Sequence, residues 1–335
     1  MKKNLLDFFV KGIVSLGLVG YLLWRVKWDE LLPLLRSLNG WLFAVAFVLY
    51  LGAITNSAFK WFVLLRALEI KIPFTELLSY SFVGVFFNNF LPANIGGDLM
   101  RGYGLARYTS RTADAAISVV VDRLVGLMAF MFTAVLAAAW IVLAGGREEL
   151  RNVAVAAGAS FSVVILLFAL MLSRRIRASG RKLLQFRWTK VLLPLYDRLS
   201  AALDAYRFRY RTLSTAFWIA VGTMIITNFV NYLLAEAVQP GSIPLEYIFL
   251  FNPIIAFVLL IPISIGGLGL NQSAFVFFYG LVGVPEKIAL AASLALQGVI
   301  YLSALPGGFL WWRWKKAVSR ESAVLDRAKE EDIPF

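Results

Sequence analysis

Neither cysteine nor histidine occurs among the 335 residues of the chain. The first absence excludes disulfides and thiolate chemistry. The second removes the commonest general base and metal ligand. No metal-ligand cluster or nucleotide-binding motif compensates, so no cofactor and no metal are expected. Acidic residues are also scarce, 20 against 33 Lys and Arg, which leaves a net charge of +13. In a soluble chain that excess would point to nucleic acid. Here 60% of the residues are hydrophobic, 15% are aromatic and the mean hydropathy is positive, with several apolar runs near the ~20 residues that cross a bilayer. The class that follows is an all-α polytopic membrane protein. Its basic excess then reads as positive-inside bias plus attraction to anionic lipid, with no nucleic-acid partner.

Two short stretches organise the apolar runs. Leu91-Pro92-Ala93-Asn94-Ile95-Gly96-Gly97-Asp98 returns, 170 positions later, as Ile261-Pro262-Ile263-Ser264-Ile265-Gly266-Gly267-Leu268. Proline cannot donate a backbone hydrogen bond and turns the residue before it out of the helix, while paired glycine lets the chain bend sharply. A membrane helix is expected to break at Pro92 and again at Pro262. Irregular backbone at membrane depth survives only inside protein or beside a polar cavity, so the two breaks are expected to face each other across one pocket.

In chain order, the hydrophobic run from about Phe8 to Trp24 has no small-residue cleavage site after it and reads as an uncleaved first helix. A short interfacial helix over 29–38 and a span from Trp41 to Ala67 follow. Residues 74–91 and 97–108 form the arms of the first break, each too short or too charged for a comfortable span, so a re-entrant pair is predicted. Full spans are predicted over 112–143 and 153–172. Residues 174–211 hold eleven Lys and Arg against Asp197 and Asp204, with Leu192, Leu195, Leu199, Leu203 and Tyr206 at helical spacing. That pattern predicts one basic amphipathic helix at the cytoplasmic surface, bound to anionic headgroups. The second half repeats the plan: a span from Leu213 to Val238, arms over 245–261 and 268–281, and a span from Ile288 to Trp312.

Further matches extend the repeat. Glu76 and Glu246 precede their prolines by the same distance, Ile54-Thr55-Asn56 is echoed by Ile226-Thr227-Asn228, and residues 115–119 resemble 289–293. The expected organisation is one transmembrane domain over 1–315: a first repeat at about 41–143, a linking span and basic segment over 150–211, and a second repeat at about 212–315. A mobile cytoplasmic tail over 316–335 is expected after it. Counting Lys and Arg places both termini in the cytoplasm, since that side then receives Lys71, Arg101, Arg107, Arg111, the segment 174–211 and the residues after Trp312. In this orientation the two breaks enter from opposite sides, which is an inverted-topology repeat with two re-entrant helix pairs, a design that places substrate near the midplane.

Pro92-x-Asn94-x-Gly96-Gly97-Asp98-x-x-Arg101, and Pro262-x-Ser264-x-Gly266-Gly267-x-Gly269 with Gly283-Val284 after it, resemble the transmembrane flippase-type domain of lysylphosphatidylglycerol synthetases and its stand-alone relatives. The resemblance covers roughly residues 8–315. It implies a multi-pass protein of the prokaryotic inner membrane that moves a polar lipid between leaflets. No aminoacyl-transfer domain follows, so it does not imply a synthetase. Two positions depart from the family pattern: Gln272 stands where an acid commonly follows the second Gly-x-Gly, and Gln297 where the second half commonly has an arginine matching Arg123.

The site chemistry is also open to reasoning from the residues themselves. Backbone N–H groups at Gly96, Gly97, Gly266 and Gly267 are candidates for an anion such as a lipid phosphate; the alternative is a kink needed only for packing. Asp122 and Arg123 lie mid-span, where a lone charge costs about 2.5–3.5 kcal/mol. Arg123 is a candidate for phosphate and Asp122 for Arg101 or a headgroup amine, against a purely structural ion pair. Asp98 and Arg101, one turn apart, suit the site or an interfacial pair equally. Asn88, Asn89, Asn228, Asn231 and Asn271 read as interhelical glue, and Asn94 as a headgroup ligand. The candidate substrate-binding set is therefore Asn94, Gly96, Gly97, Asp98, Arg101, Asp122, Arg123, Ser264, Gly266, Gly267, Gly269, Gln272 and Gln297.

The function expected is translocation of a polar or anionic lipid, downhill or ion-coupled, with Asp98 or Asp122 as the carrier if protons are used. Two alternatives stand beside it: an intramembrane lipid-modifying enzyme with Asp98 as base, and a non-transporting scaffold. A second copy of the chain stays open as a partner.

Overall fold

Inside a bilayer every backbone N–H and C=O must find a partner within the protein, and long apolar runs meet that demand as helices. The computed structural model describes residues 17, 20–22, 28–89, 95–143, 151–183, 193–261 and 264–331. Among them the regular structure is entirely helical: α1 Trp28–Arg36, α2 Gly40–Ala67, α3 Phe74–Asn88, α4 Ile95–Thr109, α5 Thr112–Leu143, α6 Arg151–Leu172, α7 Arg174–Leu183, α8 Leu193–Arg207, α9 Tyr210–Val238, α10 Leu245–Val258, α11 Leu270–Gly280 and α12 Glu286–Glu331. Five of these, α2, α5, α6, α9 and the first 29 residues of α12, are long and apolar enough to cross a membrane. Large apolar side chains such as Trp41, Leu136, Trp140, Leu143, Leu166 and Phe309 stand on the outside, as expected of surface that meets lipid. The run expected as a first helix lies almost wholly outside the described residues.

α2 and α9 pack antiparallel along their length. Asn39 N–H donates to the Ala237 carbonyl at one end (2.9 Å), Asn56 Nδ2 to Thr223 Oγ1 mid-way (2.9 Å), and Arg209 meets Glu69 at the other end (3.6 Å). The two shorter helices α3 and α10 start from opposite ends of this pair. Each follows a proline in the same extended conformation, Pro73 (φ −60°, ψ 140°) and Pro244 (φ −60°, ψ 142°), and each carries a glutamate in its first turn. At 15 and 14 residues they reach only ~20 Å, short of the ~30 Å hydrocarbon core.

The remaining contacts pair up when α2–α5 is exchanged with α9–α12. α3 packs on α12 and α10 on α5; α4 sits between α3 and α5, and α11 between α10 and α12. Close approach is built in with glycine: a Cβ on Gly307 of α12 would collide with the Phe82 carbonyl of α3. Two apolar cores result. One gathers α1, α10, α11 and the ends of α9 and α12 around Phe251 and Tyr279. The other gathers α3, α5, α8 and the far ends of α2 and α9 around Trp61, Leu64 and Tyr206.

One expectation needs correction here. The basic segment is not one amphipathic helix but two, α7 and α8, tied by Arg177–Asp204 (2.5 Å), Arg174–Asp204 (3.1 Å) and Arg181–Asp197 (2.7 Å). Arg177 is buried, with Nη1 donating to Ser200 Oγ (2.8 Å). The two aspartates pair with arginines across the segment, which a single helix read by periodicity does not anticipate. α12 continues to Glu331, because the stretch after Trp314 is rich in Ala, Glu, Lys and Arg, residues that favour helix.

Candidate functional site

Charged residues collect where the two cores meet. Asp122 on α5 is 2% exposed and faces Lys60 Nζ on α2 (3.1 Å) and Arg101 Nη2 on α4 (3.1 Å). Lys60 also donates to the Asp122 carbonyl (3.0 Å). Arg101 is fixed further by Asp98 one turn earlier (3.5 Å) and by stacking 4.4 Å over the Trp61 ring. Trp61 Nε1 in turn donates to Ser118 Oγ (3.1 Å). Arg123, next along α5, reaches back to Asp98. Three cations and two carboxylates thus share one cluster, with one positive charge in excess.

The cluster opens on a cavity of about 290 Å³ lined by Lys60, Asn88, Asp98, Arg101, Asp122, Arg123 and Thr223 together with apolar residues of α2, α3, α5 and α10. Arg123 keeps 40% of its side chain accessible there, so it is within reach of a ligand. A second cavity of about 220 Å³ lies alongside and shares Val85, Asn88, Arg123 and Leu259 with the first. Its other polar lining is Tyr50, Asn89, Asn271 and Gln297, with Gly266 and Gly267 closing one wall. The second Gly-Gly turn therefore adjoins the end of α3: a Cβ on Gly266 would stand 2.8 Å from the Asn89 carbonyl oxygen. A larger hollow of about 1020 Å³ lies at the end of the molecule, where Arg111, Arg198 and Arg209 are matched by Glu69, Asp114 and Asp204. It is a surface hollow with balanced charge, remote from the cluster.

Of the residues singled out from the sequence, Asp98, Arg101, Asp122 and Arg123 come together, and Asp122 meets Arg101 as expected. Pro92, Asn94 and Pro262 lie outside the described residues. The paired glycines do different work in the two halves. Gly97 is a packing residue: its N–H donates to Asn88 Oδ1 (2.7 Å), and a Cβ would overlap the Gly84 carbonyl. The expected uncovered N–H at Gly97 is thus already taken. Gly96 is buried beside it in the first turn of α4. Gly266 (φ +57°), Gly267 (φ +74°) and Gly269 (φ +82°) instead form a left-handed turn that favours glycine.

Gly269 N–H donates to Gln272 Oε1 (2.7 Å), which caps α11, so Gly269 and Gln272 serve the helix start and line neither cavity. Ser264 is buried and also stands outside both linings. Asn88, Asn89 and Asn271 line the cavities, and Asn88 also ties α3 to α4 as expected of glue, its Oδ1 accepting from the Gly97 N–H. Asn228 is glue as expected, accepting from Asn252 Nδ2 (3.2 Å). Lys60 belongs to the cluster without being part of any sequence motif. The signal was present, since a lone lysine inside an apolar span needs a counter-charge for the same reason that Asp122 and Arg123 do.

Comparison with known proteins places this arrangement. A protein of Methanothermobacter thermautotrophicus described as a UPF0104 membrane protein is 22% identical over 329 residues, covering 90% of each chain. Another of the same description and organism is 25% identical over 252 residues, covering 70% of this chain and 74% of its own. No solved structure matches. The model of the lysylphosphatidylglycerol synthase TM region matches residues 8–307, a stretch that includes both Pro-x-x-x-Gly-Gly motifs and the charged cluster, and the chain belongs to that family.

Proposed function

We infer that the protein moves a polar lipid between leaflets, passing the headgroup through the two adjoining cavities while the acyl chains stay in the bilayer. The observation that carries this reading is the buried cluster of Lys60, Arg101, Arg123, Asp98 and Asp122, opening on a cavity with one positive charge in excess. Charge inside a membrane protein is costly and marks a pathway or a site. The half-length α3 and α10, starting from opposite ends of the α2/α9 pair with Gly266 against Asn89 at the end of α3, suit re-entrant segments of an inverted repeat. Rocking of one repeat against the other would then expose the same cavities to each side in turn. With the termini cytoplasmic, the α7/α8 pair lies at the inner surface, where its surplus arginines meet anionic headgroups.

The test is lipid movement across vesicles reconstituted with the purified protein. Arg123→Ala removes the accessible cation and is expected to slow movement about tenfold or more, the worth of a charge-assisted hydrogen bond, while the thermal transition in detergent is retained. Movement no faster than in protein-free vesicles, or full activity in a folded Arg123→Ala protein, sinks the reading.

A further inference from the structure

The two cavities differ in chemistry. In the first, Lys60, Arg101 and Arg123 outnumber Asp98 and Asp122, and both carboxylates already face cations. In the second, Arg123 is shared and the other polar side chains are neutral: a phenol on Tyr50 and carboxamides on Asn88, Asn89, Asn271 and Gln297. Among the described residues no Asp or Glu lines it. The positions that mirror Arg101 and Arg123 in the second half are Asn271 and Gln297, so the charged pair of one repeat is a carboxamide pair in the other.

A carboxamide offers an acceptor and a donor side by side, the complement of a hydroxyl, which also both donates and accepts. A primary ammonium only donates, and taking it out of water without a carboxylate is expensive. At about 220 Å³ the second cavity is smaller than the ~300–1000 Å³ of usual ligand pockets, a size for a glycerol or a single sugar ring.

We propose that the lipid is a phosphodiester monoanion with an uncharged, hydroxyl-bearing headgroup, the phosphate held at Arg123 and the headgroup in the carboxamide cavity, and that amine-bearing headgroups are rejected. This rests on the translocase reading and adds the substrate class to it. The single excess positive charge is answered by one phosphate. An aminoacyl headgroup would bring its own positive charge to a cavity where no described residue offers a carboxylate to receive it.

The experiment compares labelled phosphatidylglycerol, phosphatidylethanolamine and lysylphosphatidylglycerol in vesicles holding the full chain. Phosphatidylglycerol is expected to move about tenfold faster than either amine-bearing lipid. Gln297→Glu supplies a carboxylate and is expected to shift that ratio about tenfold toward the amines. Asn271→Asp is the second variant should the first fail to fold, with the same expectation. If the amine-bearing lipids keep pace while Arg123→Ala stops all three, translocation stands and the headgroup assignment falls. If the ratio is unmoved in both folded variants, the carboxamide cavity does not select the headgroup. If no lipid moves faster than in protein-free vesicles, both readings fall together.

Discussion

Asp122 stands between two cations, Lys60 and Arg101, each at 3.1 Å, so the consequence of removing a charge depends on which is removed. Asp122→Asn leaves the two cations confronting each other at a nearly inaccessible position. It is expected to cost about 3–5 kcal/mol, as breaking a buried pair by removing one partner does. Lys60→Met leaves Asp122 with Arg101 and brings the cluster to neutrality, so its cost is expected to be about 1 kcal/mol. Reversible unfolding in mixed micelles would measure both, and equal losses would contradict the shared-carboxylate arrangement. The residues legible in the sequence were those in short motifs, Asp98 and Arg101 beside Gly-Gly, or adjacent charges such as Asp122-Arg123. Lys60 was passed over because it comes alone in a long span, and only the packing of α2 on α5 supplies its partner. Gln272 shows the reverse: its place in the motif suggested a ligand, but its carbonyl is spent on the Gly269 N–H, a local geometry that residue identity does not reveal.

Helices were the easiest elements to read, since an apolar run in a bilayer has few alternatives to helix. The predicted span over 112–143 has the bounds of α5, and those of α2 and α6 differ by one or two residues at one end. Periodicity failed at α7 and α8, where charge pairing between two helices replaced one continuous amphipathic face. That pairing carries its own pH dependence. Partial burial pushes the Asp204 carboxyl up, but hydrogen bonds from Arg177 and Arg174 more than offset it and hold the group below its ordinary range. Asp197 is likewise held low, by its hydrogen bonds from Arg181. A depressed carboxylate contributes stability that is complete above the unfolded value of about 3.9 and is lost as pH falls through the folded value. Backbone hydrogen exchange over 174–183 and 193–207 is therefore expected to be steady from neutral pH down to about pH 5 and to lose protection below about pH 4. Protection lost instead on raising the pH would assign the pairing to other groups.

On the scale of the whole molecule, the repeat was visible because the two breaks and the Asn56/Asn228 echo keep nearly constant spacing. What spacing could not supply is which helices exchange partners. The chain answers with α3 on α12 and α10 on α5, so neither repeat closes its own half of the site. Arg123 of the first repeat accordingly lines the cavity walled by Gly266 and Gly267 of the second. The same arrangement fixes which residues share an end. Glu30 meets Lys287 at 3.1 Å and Asn39 meets Ala237 at one end; Glu69 meets Arg209, and Arg111 Nη1 donates to the Leu68 carbonyl, at the other. A chain without cysteine is a ready background for labelling. Single cysteines at the exposed positions Ser37 and Gln239 are expected to react with an impermeant thiol reagent from one side of sealed vesicles, and one at exposed Ser110 only from the opposite side. If both termini are cytoplasmic, as the count of Lys and Arg predicts, Ser110 is the one on the cytoplasmic face. Labelling of all three from a single side would deny the opposed entry of α3 and α10, and with it the alternating access on which the transport reading depends.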